Sequence, residues 1–296
     1  MTTAAFSMEF GQAVDQLERA DALSAMLASQ AQAVAVVDQA KTQIDAAAQK
    51  IAEALTSGAT LYYAAAGSSG LMALADACEL PGTFGVAQQQ IGIFMAGGVP
   101  ADGRMPGDVE DATQDAINAA DSMSDGDVAI VLSASGTTPF ALSFAETARR
   151  KNVCVIAIAN AKKAPLLDLA DVGICLPTQP EIVDGSTRHG AGTAQKVALN
   201  MVSTQAGILM GHVHDGLMVN VVADNAKLRK RAMRIITQIA KVSESAAQEA
   251  MVLAGNDTKL AILIAAGLDV EAARQSLAIA KGHLRDCLPA VKVGSI

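Results

Sequence analysis

The sequence predicts an α/β fold in which a five-stranded parallel sheet is covered by helices on both faces. Five short apolar runs, rich in Val, Ile and Ala, occupy the middle of the chain. Helical segments separate these runs, and parallel strands that are buried on both faces have this continuous apolar character. The predicted strands are Leu61–Ala65, Ile91–Met95, Val128–Ser133, Val153–Ile158 and Val172–Leu176.

The connections between these strands are predicted to be helices at 69–80, 111–123, 138–150 and 163–169. Such strand–helix–strand units cross over in the right-handed sense and produce a doubly wound sheet. In the flavodoxin-like strand order 2-1-3-4-5, the first and third strands are neighbours, and ligands bind where the order reverses between them. The turns after these two strands are therefore the first candidates for a site.

The sheet region is flanked by helical segments. Residues 7–57 predict two helices, since neither Pro nor Gly interrupts between Gly11 and Gly58. Helices are also expected at 190–210 and 221–241, followed by a small bundle in which Ser243 and Asp257 cap two of the helices. We therefore predict an N-terminal helical part (1–58), a sheet domain (59–241) and a small C-terminal helical domain (242–296).

Composition and charge exclude several classes of protein. Of the 296 residues 51% are hydrophobic and 18% charged, and the net charge of −8 argues against a nucleic-acid partner. The basic run 227–231 is interpreted as a solvated helix face. The four cysteines lack metal-site spacing, so reduced thiols and no metal are expected. Because Met1–Gln12 resembles no signal peptide and no membrane segment is predicted, we expect a cytoplasmic protein.

The turn after the first strand reads Gly67-Ser68-Ser69-Gly70 and begins a helix that carries Glu79. Free backbone N–H groups at a helix start bind anions, and the two serine hydroxyls add donors. The alternative is a plain strand-to-helix turn in which the serines only cap the helix.

A second turn of the same type follows the third strand. It offers the hydroxyls of Ser133, Ser135, Thr137 and Thr138, and Pro139 fits the first turn of the helix that follows. Because the first and third strands are predicted neighbours, both turns face one crevice. Two anion-binding turns at the expected position of an α/β site predict a phosphorylated ligand.

A third polar segment follows the fifth strand, from Glu181 to Lys196, and includes Ser186 and Arg188. It too leads into a helix, and a capped helix start is the alternative interpretation. The chain shows no Ser/His/Asp triad, metal-ligand cluster or dinucleotide fingerprint, so no cofactor is expected.

Together these segments resemble the sugar isomerase (SIS) family, and within it the group of N-acetylmuramic acid 6-phosphate etherases and the glucokinase regulatory protein. The resemblance rests on five motifs and covers about residues 59–290. They are Gly67–Gly70 with Asp76–Gly85, Ala96-Gly97-Gly98 with Glu110-Asp111 twelve residues on, Ala134–Phe140, Gly185–Met201 and Leu217–Leu228. Ala-Gly-Thr-Ala-Gln-Lys at 191–196 is the most specific piece.

The resemblance implies a lyase that removes lactate from C3 of a phosphosugar by acid–base chemistry. It implies Glu79 as the acid for the leaving group and Glu110 as the base. The phosphate and sugar hydroxyls would be held by Ser68, Ser69, Ser133, Ser135, Thr137, Thr138, Ser186 and Lys196. Where the etherases carry Arg, Arg and Lys, this chain has Leu71, Thr137 and Gly190, so the sugar and the ether group stay open.

Two other functions are compatible with these residues. An aldose–ketose isomerase of the same family needs the base but no acid for a leaving group. A non-enzymatic sugar-phosphate sensor binds the ligand and regulates a partner. Product analysis distinguishes them, because an etherase releases an alcohol, an isomerase forms a ketose and a sensor does neither.

We expect a homodimer in which the helices 7–57 and 190–210 contribute contacts. Both are long and poor in charge, exposed apolar faces of this size mark interfaces, and the family resemblance implies the same. Light scattering at micromolar concentration tests this, and a monomer would contradict it.

Overall fold

The computed structural model describes residues 13–221 and 226–288. The chain forms two compact units, one of Met1–Ala77 with Gln89–Thr204 and one of Cys78–Gln88 with Gln205–Ile296. These units are defined by contacts within the chain and do not test the three-part division by independent folding, which stays a prediction.

The first unit contains a five-stranded, fully parallel sheet with the order β2-β1-β3-β4-β5. This confirms the predicted α/β class and strand order. Three boundaries differ from the prediction, since β4 begins and ends one residue later and β5 ends one residue earlier. The strands are β1 Leu61–Ala65, β2 Ile91–Met95, β3 Val128–Ser133, β4 Cys154–Ala159 and β5 Val172–Cys175.

Helices cover both faces of this sheet. Alternate strand residues such as Val131 and Val155 share one buried cluster with Phe140 and Phe144, as period-2 alternation requires. On the other side, α2 packs against β1, β3 and β5. The helices that begin in this unit are α1 Arg19–Ala35, α2 Lys41–Thr56, α3 Gly67–Phe84, α4 Thr113–Asp121, α5 Pro139–Arg150, α6 Pro165–Asp168 and α7 Gly190–Leu209.

The N-terminal segment forms two helices, as the sequence predicts, joined by a 3₁₀ turn at Val36–Ala40; residues 7–12 of the predicted segment lie outside the described residues. By length and composition alone, Arg19–Thr56 is apolar enough to cross a membrane. Core helices share this property, and α2 buries Ile44 and Ile51 completely or nearly so. In α1, by contrast, Leu23 and Leu27 are 67% and 73% exposed.

Helix α3 continues beyond its predicted end. The sequence places the end at Glu79–Gly82 because of Pro81, but the helix runs through Pro81 to Phe84. Proline lacks only its own N–H, and the carbonyl of Pro81 still accepts from the N–H of Gly85 at 3.0 Å. Gly85 ends the helix, since it has a φ of 64° and a Cβ there would lie 2.2 Å from the Asn220 carbonyl oxygen.

The second unit is a small helical bundle with one hairpin. The hairpin joins β6 Val213–His214 to β7 Leu217–Met218 through Asp215-Gly216, both at positive φ, which is the pattern of a type I′ turn. Ser243 and Asp257 accept from backbone N–H groups three residues on, as their predicted cap roles require. The helices of this unit are α8 Ala226–Ala240, α9 Glu244–Leu253, α10 Thr258–Ala265, α11 Val270–Ile279 and α12 Leu284–Cys287.

The basic run of α8 lies at the surface, as predicted, but it also lines a cavity of about 660 Å³. The cavity is lined on one side of the helix by Lys227, Lys230, Arg231 and Arg234. On the other side, Ala232 and Ile236 are buried.

We expect Phe144→Ala to lower the free energy of unfolding by about 3–5 kcal/mol, because the ring is fully buried and its removal leaves a cavity. Val99→Ala, at a side chain that is 49% exposed, should stay within about 0.5 kcal/mol of the parent. Urea denaturation monitored by circular dichroism checks both variants, and equal losses would contradict this account of the core.

Candidate active site

The turn between β1 and α3 presents free donors. Helix α3 begins directly at Gly67, so Ser68 and Ser69 lie in its first turn, where backbone N–H groups have no partner within the helix. Among the described residues, neither serine hydroxyl makes a hydrogen bond that would cap the helix. Neither hydroxyl therefore caps the helix in the described part of the chain, and the anion site stays a prediction.

The turn between β3 and α5 is organised by its own hydroxyls. Ser133 Oγ accepts from the N–H of Gly136 at 3.0 Å and lies 2.8 Å from Thr138 Oγ1. Ser135 Oγ accepts from the Thr137 hydroxyl at 2.9 Å and from its N–H at 3.2 Å. Ser133 is buried, whereas Ser135 and Thr137 are exposed. The buried hydroxyl therefore shapes the turn, and the exposed ones are open to a ligand.

Gly136 lets this turn approach the β4–α6 loop. It has a φ of 69°, and a Cβ there would lie 2.2 Å from the Cβ of Ala164. Its carbonyl accepts from the N–H of Leu166, and the carbonyl of Ala134 accepts from the N–H of Asn160. The turn is thus held by backbone bonds from a neighbouring loop.

Glu110 connects the two turns. Its carbonyl accepts from the N–H of Phe140, in the first turn of α5, at 3.0 Å. Its carboxylate lies against the start of α3, because a Cβ on Gly67 would be 2.8 Å from Oε1. The family resemblance implies this residue; in the structure its carbonyl is bonded at the start of α5 and its carboxylate lies against the start of α3.

The loop that carries Glu110 is seated on the end of β2. Gly97 has a φ of 76°, and a Cβ there would lie 2.6 Å from Pro106 and 2.9 Å from Val109. Gly97 therefore has a packing reason, because it makes room for the residues that lead into Glu110, whereas nothing lies within 4 Å of the Cβ position of Gly98.

A buried polar cluster surrounds Asp76, which lies on α3. Asp76, which is 5% exposed, accepts from Tyr63 Oη and Asn200 Nδ2 at 2.8 Å each and from Ser203 Oγ at 3.0 Å. Burial, followed by the nearby Asp76 charge, raises the pKa of Tyr63 well above its usual value, so the phenol remains a donor. The sequence analysis did not single out these residues, although Asp76 and Asn200 stand inside quoted motifs.

The start of α7 differs from the prediction of a third anion-binding turn. The Glu181 carboxylate accepts from the N–H groups of Gly190 and Ala191, at 2.8 and 2.9 Å. These donors are therefore occupied by the chain itself, which is the capped helix start that the sequence left as an alternative. Ser186 lies part-exposed in the preceding loop and Lys196 is exposed on α7. Within the described residues, no hydrogen bond joins either side chain to the β1–α3 or β3–α5 turn.

Glu79 lies on α3 with an exposed side chain. It belongs to the second compact unit, whereas Glu110 belongs to the first. Its role as the acid stays a prediction. A pair of bonded amides also escaped the sequence analysis: buried Gln195 donates from Nε2 to Oδ1 of part-buried Asn160 at 2.9 Å, next to the β3–α5 turn.

Comparison with known proteins assigns the chain. The SIS domain family matches residues 27–160. An N-acetylmuramic acid 6-phosphate etherase of Symbiobacterium thermophilum is 38% identical over 251 residues, which cover 84% of each chain. One of Aeromonas hydrophila is 37% identical over 280 residues, covering 93% of each chain. The chain belongs to the N-acetylmuramic acid 6-phosphate etherase family.

Solved structures support the fold of this family member. A chain of E. coli CFT073 solved in complex with A5P has a TM-score of 0.51 at 14% identity, over 68% of this chain and 97% of that one. A putative phosphosugar isomerase of Bacteroides fragilis has a TM-score of 0.51 at 17% identity, over 67% and 95%. At identities this low, the structural similarity establishes the shared SIS-like α/β fold alone.

We expect Gly67→Ala to lower the etherase kcat/KM by about 10²-fold, the order of loss when a catalytic group is displaced by about 1 Å. The new Cβ would collide with the Glu110 carboxylate. The φ of 56° adds backbone strain of about 1–2 kcal/mol.

Gly58→Ala is the matched control, because Gly58 also has a positive φ, 90°, but nothing lies within 4 Å of its Cβ position. The unfolding temperature should fall in both variants, whereas kcat/KM should fall only in Gly67→Ala. Equal activities would show that the contact with Glu110 has no catalytic consequence.

Proposed function

We propose that this protein is a cofactor-independent carbon–oxygen lyase that cleaves the C3 ether of N-acetylmuramic acid 6-phosphate or a closely related phosphosugar. The observation that carries the proposal is the position of Glu110, with its carboxylate against the start of α3 and its carbonyl bonded to the start of α5. A carboxylate between two helix starts can meet a substrate whose phosphate those helices bind. The names of the relatives supply the substrate class.

The phosphate is held by backbone N–H groups and hydroxyls at the two turns. Ser68 and Ser69 contribute from α3, and Ser135 and Thr137 from the β3–α5 turn, while Ser133 and Thr138 keep that turn in shape. Helix N-termini supply positive potential without a cation. Ser186 and Lys196 are proposed as further contacts to the sugar.

Glu110 acts as the base. In the open-chain aldehyde, the C1 carbonyl acidifies the C2 proton, and Glu110 removes it to form an enolate. The enolate electrons then form the C2–C3 double bond as the C3–O bond breaks. Water adds back across this double bond, which places a hydroxyl on C3 and returns a proton to C2.

Glu79 acts as the acid, protonating the ether oxygen as the lactate leaves. Two carboxyl groups that perform opposite proton transfers need different environments. The Glu110 carboxylate lies against the start of α3, whereas Glu79 lies on the same helix beyond its first turn.

The ether group is the least constrained part of the substrate. This chain lacks basic residues at three positions where the resemblance implies them. Leu71 is part of an apolar turn of α3, the Thr137 hydroxyl donates to Ser135 Oγ, and the N–H of Gly190 donates to the Glu181 carboxylate. A panel of 3-O-substituted phosphosugars, with release of the free alcohol as the readout, identifies the group. A ketose product, or binding without turnover, would replace the etherase by the isomerase or the sensor.

We also propose a cytoplasmic homodimer. The exposed apolar residues of α1, Leu23 and Leu27, together with Ile208 on α7, are the candidate contacts.

Glu110→Gln and Glu79→Gln should each lower kcat by about 10²–10⁴-fold while phosphosugar binding is retained, because each change keeps the shape but removes proton transfer. Solvent deuterium incorporation at C2 should separate the two roles. The Glu110 variant should lose exchange, and the Glu79 variant should keep some, because deprotonation can precede departure of the ether.

Glu146→Gln is the matched control, since Glu146 is exposed on α5 and outside the site. It should retain parental kcat and exchange. Full activity of Glu110→Gln would overturn the assignment of the base.

A further inference from the structure

We infer that Asp76 is a positioning residue for the start of α3, held in place by hydrogen bonds from three donors. The inference rests on the proposed function for its activity readout, but its structural readout is independent. Asp76 lies inside the first unit, seven residues after Ser69 and three before Glu79, on the helix that carries all three.

The chemistry of the cluster requires an acceptor-only side chain. Tyr63, Asn200 and Ser203 all donate to the two oxygens of Asp76, and an ionised carboxylate accepts several such bonds at once. Among the described residues, no cation lies within ion-pair distance of Asp76. A buried polar group without hydrogen-bond partners is costly, so the three hydrogen bonds must be kept.

The partners lie on two different elements. Tyr63 is in the middle of β1, and Asn200 and Ser203 are one turn apart on α7. Their bonds prevent α3 from rotating about its axis or sliding along it. The first turn of α3 therefore meets the Glu110 carboxylate in one position only.

The first experiment exchanges the carboxylate of Asp76 and the amide of Asn200. Asp76→Asn places an amide N–H where donors converge, and we expect kcat/KM to fall about tenfold or more, the value of one charge-assisted hydrogen bond. In the double variant Asp76→Asn with Asn200→Asp, the amide donates to a carboxylate again. We expect kcat/KM to recover at least threefold over the single variant.

A second pair of variants, each a single Ser→Ala substitution, tests the inference if the Asp76 variants fail to fold. Ser203→Ala removes one donor from Asp76, and Ser29→Ala removes a serine of the same 7% exposure on α1 with no bond to Asp76. Amide hydrogen exchange over 67–75 should accelerate at least threefold in Ser203→Ala and remain unchanged in Ser29→Ala.

Kinetics distinguish positioning from simple destabilisation. At a temperature where each variant is fully folded, Ser203→Ala should raise KM for the phosphosugar more than it lowers kcat, because Ser68 and Ser69 bind the phosphate. Unchanged exchange over 67–75 would overturn the inference, as would a folded double variant no better than Asp76→Asn. If the parent protein turns over no phosphosugar ether, the proposed function fails, while the exchange comparison still decides the role of Asp76.

Discussion

The candidate site depends on one hydrogen bond, from the N–H of Phe140 to the carbonyl of Glu110. A helix start has N–H groups without intrahelical partners, and here one of them is used to fasten the β2–α4 loop instead of a ligand. That bond fixes the main chain of Glu110 at α5. The side chain of the same residue then reaches the start of α3, where only a glycine leaves room for it. The two helix starts and the carboxylate thus form one arrangement.

A helix follows each of the five strands of the sheet, and the starts of α3, α5 and α7 are used in different ways. At α3 the hydroxyls of Ser68, which is part-exposed, and Ser69, which is buried, make no hydrogen bond among the described residues. At α5 one donor holds Glu110, and the exposed hydroxyls of Ser135 and Thr137 remain available. At α7 the carboxylate of Glu181 occupies two N–H groups. An anion bound by this protein is therefore expected at α3 and α5, where no carboxylate among the described residues accepts a hydrogen bond from the first-turn N–H groups.

The buried cluster around Asp76 explains why the motif residues near the site are not all contacts to a ligand. Asp76 and Asn200 come from segments 124 residues apart in sequence and bond each other at 2.8 Å. Tyr63 and Ser203 complete the same set. Their shared effect is mechanical: they hold α3 against β1 and α7, so the residues at its start have a defined position.

The sequence by itself determined the class of fold, the strand order and the two Ser-rich turns, because these depend on local patterns: apolar runs of strand length, and small polar residues at strand ends. Glu110 was indicated by the resemblance of its motif to that of the family. What it could not determine was which groups fill which helix start. Glu181 and Gly190 are nine residues apart with a loop between them, and no local pattern indicates that one caps the other. The same holds for Asp76 with Asn200 and for Gly67 with Glu110. Only the tertiary structure decided these contacts, because each is set by the packing of elements distant in the chain, and a polar side chain looks the same in sequence whether it meets a ligand or a backbone N–H.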